Sequence, residues 1–268
     1  MANDRAKGAR WARRVVWVAA VVLPLAAGAA RVLSHDWRTT PRHSIGHDWR
    51  TASRESIGIA PDPATTPEAV VQVYAARAFG WRGVFGSHSW IAVKPEGAPA
   101  FTVHEVVGWH VLRGQSALRR SQRAPDGLWY GNRPEILAEL RGDGVDEVIA
   151  RIERAVLAYP YAESYAVWPG PNSNTFTAFV AREVPELRLD LPPTAIGKDY
   201  LVNGSVFARA PSGTGYQVSL FGLLGVLAAV EEGLEINVLG LTFGIDFTQP
   251  ALKLPGFGRL GLSRNADD

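Results

Sequence analysis

The segment WPGPNSNTFTAFVA, residues 168–181, combines a chain break with the start of a helix. Pro169, Gly170 and Pro171 neither continue a helix nor donate to a sheet ladder. Small polar residues at 172–175 follow, and the apolar residues after them have helical spacing, which predicts a buried helix beginning near Ser173. Polar side chains at a helix start cap free backbone N–H groups, but the same position also stabilises a developing anion. Ser173 is therefore either part of a cap or a candidate nucleophile.

Two alternating stretches before this segment predict an antiparallel hairpin. Ser87–Lys94 and residues 100–107 alternate in polarity and are separated by a Pro- and Gly-containing turn. The alternation places His88 and Trp90 on one face of the first strand, and His104 is on the second strand. Residues 133–141 and 145–158 are predicted helices, and residues 67–77 fit either a helix or a strand.

The chain after residue 218 contains two apolar-rich runs. Residues 219–230 are too short to span a bilayer, and the alternating residues 234–247 predict one long or two short strands. A buried helix followed by strand structure is the commoner meaning of such runs, and a membrane-surface element is the alternative. The predicted fold class is α+β, an antiparallel sheet with packed helices, in a single domain over residues 67–262 with a tail at 263–268.

The N-terminus has the pattern of an export signal or an anchor. Residues 1–14 contain five Lys or Arg, and residues 15–30 carry no charge. Residues 1–33 are therefore predicted to be a signal peptide or an N-terminal membrane anchor helix, and a buried soluble helix is the alternative. The basic flank predicts that the following chain is exported, and either anchored at the inner membrane or periplasmic. The membrane is thus a predicted partner, and cleavage or retention of the segment stays open.

Residues 34–66 are predicted to be a linker that contains a duplicated unit. HDWRTTPRHSIG at 35–46 is followed by HDWRTASRESIG at 47–58. Two copies are too few for a solenoid, which needs at least about three repeats. A local duplication within a polar, Pro-bearing linker explains the pattern, and the clustered His residues there are only a weak metal signal.

Composition excludes several classes of function. The 268-residue chain has a formal net charge of +2 and lacks a basic run with interleaved aromatic residues, so nucleic acid is not a predicted partner. Its lack of Cys excludes disulfides, thiolate metal sites and a Cys nucleophile. His104 has Gly108 four residues later, not the second His of a zincin helix. Convergence of His88, His104 and His110 on zinc remains an alternative, but no metal and no cofactor is predicted.

Several distinctive stretches occur along the chain, among them HSWIAVK, WYG, YPY, WPGPNSNTF, LPPTAIGKDY and GLEINVLGL. As a set they resemble an uncharacterised bacterial family, DUF3750, over about residues 49–261. That resemblance implies no established activity.

A second resemblance is to permuted papain-like proteins, the group of lecithin:retinol acyltransferase and the permuted NlpC-type proteins. These carry a His on an early strand, a polar residue on the next strand, and an Asn-Cys-x-x-Phe segment at a later helix start. His88, His104 and the segment 172–176 are similar to these elements, with Ser173 at the Cys position. A hydroxyl needs a positioned base throughout the reaction, so this departure bears directly on catalysis.

The resemblance implies a Ser/His hydrolase or acyl transferase acting on an amide or ester of the cell envelope, in a glycan, peptide or lipid. Ser173 would attack, His88 would accept its proton and His104 would orient His88. Backbone N–H groups at the helix start would hold the oxyanion. The alternative is a non-catalytic envelope-associated binding or structural protein, in which these polar residues form a cap. Further candidate oxyanion or binding residues are Asn172, Asn174, Thr175, Trp90 and Trp168.

Overall fold

Antiparallel sheets with few helices make up the described chain, which the computed structural model gives for residues 51–261. The mixed α/β class is thereby confirmed. The helices are α1 (Gly108–Val111), α2 (Val145–Ala158) and α3 (Ser173–Glu183). The strands are β1 (Val70–Arg77), β2 (Ser87–Lys94), β3 (Thr102–Val106), β4 (Leu118–Gln122), β5 (Pro134–Arg141), β6 (Phe207–Arg209), β7 (Gly215–Leu220), β8 (Leu224–Ala229), β9 (Gly233–Val238), β10 (Leu241–Asp246), β11 (Ala251–Leu254) and β12 (Gly258–Gly261).

The first sheet has strand order β4-β3-β2-β1-β5 and packs α2 and α3 on one face. Alternate side chains of its strands point to opposite faces, so each face has its own apolar cluster. On the helix face, Val73 and Ile91 are buried with Ile152 of α2 and Phe176 of α3. On the opposite face, the aromatic cluster contains Tyr74, Trp90, Phe101 and the partly buried Trp129.

The second sheet is a seven-stranded meander in the order β12-β11-β10-β9-β8-β7-β6. Leu239 and Gly240 have φ values of 54° and 81° between β9 and β10, as a two-residue hairpin turn with the twist of the strands requires. Its inner face consists largely of buried polar side chains: Gln217, Ser219, Glu235, Asn237, Thr242 and Lys253. Its outer face consists of exposed apolar side chains: Val218, Leu220, Leu224, Val226, Leu234, Ile236, Val238, Phe243, Ile245 and Leu252.

Residues 188–200 run between the two sheets and bond to both. The Ser87 N–H at the start of β2 donates to the Thr194 carbonyl at 2.9 Å. Lys198 and Asp199, further along the same segment, contact the inner face of the second sheet through Glu235 and Gln217. The polar inner face is therefore covered by this buried segment and is not open to water.

Several predicted elements are confirmed. The hairpin of β2 and β3, the helix over residues 145–158 and the helix that begins at Ser173 are all present.

Two stretches predicted as helices are strands, and a third stretch that fitted either a helix or a strand is also a strand. Residues 134–141 pair along β1 as β5, residues 70–77 form β1, and the 219–230 run divides between β7 and β8. Cross-strand burial overrode local propensity in these cases, because each stretch completes the hydrogen bonding of a neighbouring strand.

Part of the predicted linker is hydrogen-bonded to Asp126, in the loop that follows β4. Asp126 accepts hydrogen bonds from Ser56 Oγ and from the backbone N–H groups of Ile59 and Ala60. The predictions for residues 1–33, for most of the duplication and for the tail lie outside the described residues. Across residues 51–261, none of the helices combines the length and the apolarity needed to cross a bilayer.

Candidate functional site

The start of α3 is built as a helix cap. The Asn172 side-chain oxygen accepts hydrogen bonds from the backbone N–H groups of Asn174 (2.9 Å) and Thr175 (3.2 Å). The Thr175 hydroxyl lies 3.1 Å from the Asn172 N–H, which completes a capping box. Asn172 Nδ2 donates to the carbonyls of Val167 and Ile196. Asn172 and Thr175 are thus committed to fixing the helix start.

Asn174 joins the helix to the first sheet. Its Oδ1 accepts from Ser89 Oγ at 2.8 Å, and its Nδ2 donates to the carbonyls of Ser87 (2.9 Å) and Ile196 (2.8 Å). Ser89 also contacts Thr177 Oγ1 at 2.9 Å. Each of these side chains is buried, so their hydrogen bonds offset the cost of removing polar groups from water.

Ser173 occupies the first turn of α3 and is only 3% exposed. Its backbone carbonyl accepts from Thr177 Oγ1 at 3.1 Å. Among residues 51–261, its hydroxyl has no hydrogen-bond partner, and so no base lies within hydrogen-bonding reach of it. A serine nucleophile needs such a base.

His88 lies on the opposite face of the first sheet. Its Nε2 donates to Glu105 Oε2 at 3.3 Å, and its ring stacks on Trp129 with centroids 3.6 Å apart. Burial lowers the pKa of His88, against the influence of Glu105. Burial alone would raise the pKa of Glu105, but the His88 hydrogen bond and the Arg123 guanidinium bring it to about 2. His88 is thus a neutral donor to a carboxylate within the aromatic cluster.

His104 faces α2. Its Nε2 lies 3.2 Å from Glu153 Oε1, and Arg120 Nη2 lies 3.1 Å from the same oxygen. The side chain is fully buried, and its Nδ1 has no partner among the described residues. Burial lowers the pKa of His104, with a smaller opposing effect of Glu153. His104 therefore contacts a helix carboxylate and does not orient His88.

The structure does not bring Ser173, His88 and His104 together as the predicted triad. Consecutive residues of β2 point to opposite faces, so Ser89 contacts α3 while His88 contacts Glu105 on the far side. The zinc alternative fails for the same reason, and within residues 51–261 no three His, Asp or Glu side chains are grouped to bind a metal ion.

The two predicted binding tryptophans donate to backbone carbonyls in different parts of the fold, and neither lines the cleft described below. Trp90 is fully buried and donates from Nε1 to the Pro125 carbonyl at 2.8 Å. Trp168 is 52% exposed and donates to the Leu239 carbonyl at 2.8 Å. Trp168 therefore braces the segment before α3 against a turn of the second sheet.

Sequence reasoning missed a buried ionic layer beneath the second sheet. Lys198 Nζ lies 2.5 Å from Glu235 Oε2, and Lys253 Nζ lies 2.8 Å from Glu235 Oε1 and 2.6 Å from Asp190 Oδ1. Burial raises the pKa of Asp190 to about 6, although Lys253 opposes that effect. The alternation of polar and apolar residues along β7 and β9 could have indicated this layer, because it shows that one face of each strand is polar.

A cleft of about 620 Å³ opens between the ends of β1 and β5, the 190–194 segment and the β11–β12 hairpin. We call it the intersheet cleft. Its apolar walls include Ile136, Pro192, Pro193 and Phe257, and its charged residues are Arg77, Arg133, Glu135, Asp190, Lys253 and Arg259.

The cations of the intersheet cleft differ in their partners. Lys253 is paired within the ionic layer, and Arg77 Nη1 donates to the carbonyls of Gly83 and Val84. Arg133 is exposed and forms no hydrogen bond or ion pair with any residue between 51 and 261. Four cationic residues and two carboxylates, Glu135 and Asp190, line the cleft. The cleft has an excess of positive charge.

Comparisons with known proteins find one family model and no activity. No curated protein and no solved structure matches the chain. The family model described as "Protein of unknown function (DUF3750)" matches residues 68–200, which include the first sheet, α2, α3 and the segment 188–200 between the sheets. Over these residues the chain is similar to the DUF3750 family.

Proposed function

We propose that the protein is a non-catalytic binding protein of the cell envelope that takes a small organic anion in the intersheet cleft. The observation that carries this proposal is the cleft's combination of size, apolar walls and an unpaired Arg133 at its edge. Its volume of about 620 Å³ lies within the range of roughly 300–1,000 Å³ that is usual for small-molecule sites. Apolar walls would receive the ligand's carbon skeleton, and a guanidinium would receive a carboxylate or phosphate.

A binding role also agrees with the contacts of the predicted oxyanion residues and of the predicted base. Asn172, Asn174 and Thr175 are saturated by structural hydrogen bonds, and His88 is held by Glu105 and Trp129. None of these side chains lines the cleft. The envelope location rests on the basic and apolar pattern of residues 1–33, and envelope glycans, peptides and lipid headgroups all present carboxylate or phosphate groups.

The ligand proposal is tested by thermal unfolding of the full chain in increasing citrate or inorganic phosphate, at ionic strength held constant with chloride. A ligand that binds only the folded state raises the midpoint in a saturable way. We expect this rise in the wild type and its loss in Arg133→Glu. Arg154→Glu is the matched control, because Arg154 is exposed on α2 and lies outside the cleft. Equal shifts in all three proteins, or none with either anion, would contradict the proposal.

The envelope location is tested separately by fusing alkaline phosphatase, which is active only after export, to the C-terminus of the full chain. Activity that depends on residues 1–33 is expected. Fusion protein that stays inactive despite normal expression would refute export without bearing on the cleft.

A further inference from the structure

The second sheet has its polarity reversed relative to an ordinary sheet of a soluble protein. Its inward side chains are ionic or polar, whereas outward side chains such as Val226, Ile236 and Phe243 are apolar and 40–49% exposed. In the described strands β7–β11, no charged residue points outward; Arg209 lies on the edge strand β6. A contiguous apolar face of this kind marks an interaction surface.

The reversed polarity is locked by specific bonds. Glu235 lies between Lys198 and Lys253, and Asn237 Nδ2 donates to Asp199 Oδ2 at 2.6 Å. A one-residue shift of β9 would expose these groups and break every one of those contacts. The apolar face therefore points outward because the paired charges hold the opposite face inward.

The outer face has the size that a stable dimer requires. Four strands, β7–β10, have six residues each, and β6, β11 and β12 have three or four. At about 3.4 Å per residue and about 4.8 Å between strands, the sheet covers roughly 570 Å² in projection. The accessible surface of its protruding side chains is larger than this flat area, which brings the face toward the roughly 800 Å² that each partner buries in a standard interface. Two such faces pack about 10 Å apart when side chains interdigitate.

The composition of the face favours a protein partner over a bilayer. Membrane-surface elements carry Lys or Arg with Trp or Tyr around an apolar centre. Here Arg209 and Tyr216 point outward together, but only at the β6–β7 edge of the sheet. The outward positions of β8–β11 carry no Lys, Arg, Trp or Tyr, and Val, Leu and Ile predominate there. Such aliphatic side chains are the ones that fill the core between two packed sheets.

We propose that two copies of the chain pack the outer faces of their second sheets against each other to form a homodimer. A two-fold interface is self-complementary, so an uncharged, aliphatic face can pair with itself without opposing like charges. β9 is the central strand of the seven, and Ile236 lies at its middle. Ile236 therefore lies nearest the two-fold axis. This inference does not depend on the proposed ligand cleft.

Because the chain contains no Cys, a single introduced Cys is the only thiol that a cross-linker can reach. Ile236→Cys in the full chain, treated with a short bismaleimide, is expected to give a covalent dimer in high yield at low protein concentration. Leu157→Cys is the matched control, because Leu157 is an exposed apolar residue on α2, 84% accessible and outside the second sheet. It is expected to remain monomeric.

A second measurement distinguishes a second copy of the chain from a lipid bilayer as the partner of the outer face. Sedimentation equilibrium should give a dimer for the wild type and a monomer for Ile236→Asp. Because position 236 is half-exposed, circular dichroism of this variant should match that of the wild type. A wild-type monomer, or cross-linking no greater at position 236 than at 157, overturns the proposal. If a fluorophore at position 236 is instead buried only when phosphatidylglycerol vesicles are added, the partner is the bilayer and the dimer is refuted.

Discussion

His88 and Ser89 are adjacent in β2, but their side chains bond on opposite faces of the first sheet. His88 Nε2 donates to Glu105 at 3.3 Å, while Ser89 Oγ donates to Asn174 at 2.8 Å. The side chain that reaches the start of α3 is thus a serine that braces the helix. The imidazole proposed as a base lies in the aromatic cluster behind the sheet.

Ser173→Ala should leave a fluorophosphonate probe's labelling of the protein unchanged, because no described base activates that hydroxyl. Its effect on the free energy of unfolding should stay below about 1 kcal/mol, the worth of a typical hydrogen bond. Gel fluorescence after probe treatment and urea unfolding are the two measurements. Labelling that disappears in Ser173→Ala would reinstate the hydrolase.

Asn172→Ala should lower the free energy of unfolding by about 1–2 kcal/mol, since it removes the acceptor that caps two N–H groups of α3. Asn172→Ser keeps a capping oxygen and should recover part of that loss. Urea unfolding of the three proteins compares them. Equal stability of the alanine variant and the wild type would mean that the cap is not stabilising.

Lys253→Met should be strongly destabilising, by about 3–5 kcal/mol, because Asp190 and Glu235 would lose a buried cation. The control is Arg188→Met, whose side chain is exposed where it meets Glu231 and should cost under about 1 kcal/mol. Chemical unfolding gives both values. A small effect at Lys253 would indicate that water reaches the ionic layer.

Acidification should destabilise the fold through His88 and His104. Burial holds the pKa of each below the ordinary value of about 6.5, so the unfolded chain binds more protons as pH falls past that value. Stability from each is complete above about pH 6.5 and is lost below it, by up to about 1.4 kcal/mol per histidine at pH 5.5.

Urea midpoints at pH 7.5 and 5.5 measure this loss in the wild type and in His104→Asn. The variant should show the smaller change with pH, because one buried imidazole is gone. His110→Asn, at a partly exposed histidine, should behave like the wild type. An identical pH dependence in all three proteins would contradict the assignment.

Local sequence signals identified some elements correctly. In those cases both the signal and the structure depend on residues that are close together in the chain. The helix over 145–158 has an apolar stripe that packs on the first sheet, and Asn172 begins α3 because its side chain caps neighbouring N–H groups. The alternation of Ser87–Lys94 likewise placed His88 and Ser89 on opposite faces. These features depend on residues within a few positions of one another, so the sequence alone determined them.

Tertiary structure alone decided which face each helix covers and which partner each strand finds. Residues 134–141 have helical signals but form β5, because β1 offers them an antiparallel ladder. Alternate apolar residues of the 219–230 run are exposed in β7 and β8, because Glu235, Lys198 and Lys253 pair beneath the sheet across long chain separations. Periodicity shows that two faces differ, but only long-range contacts determine which face turns inward.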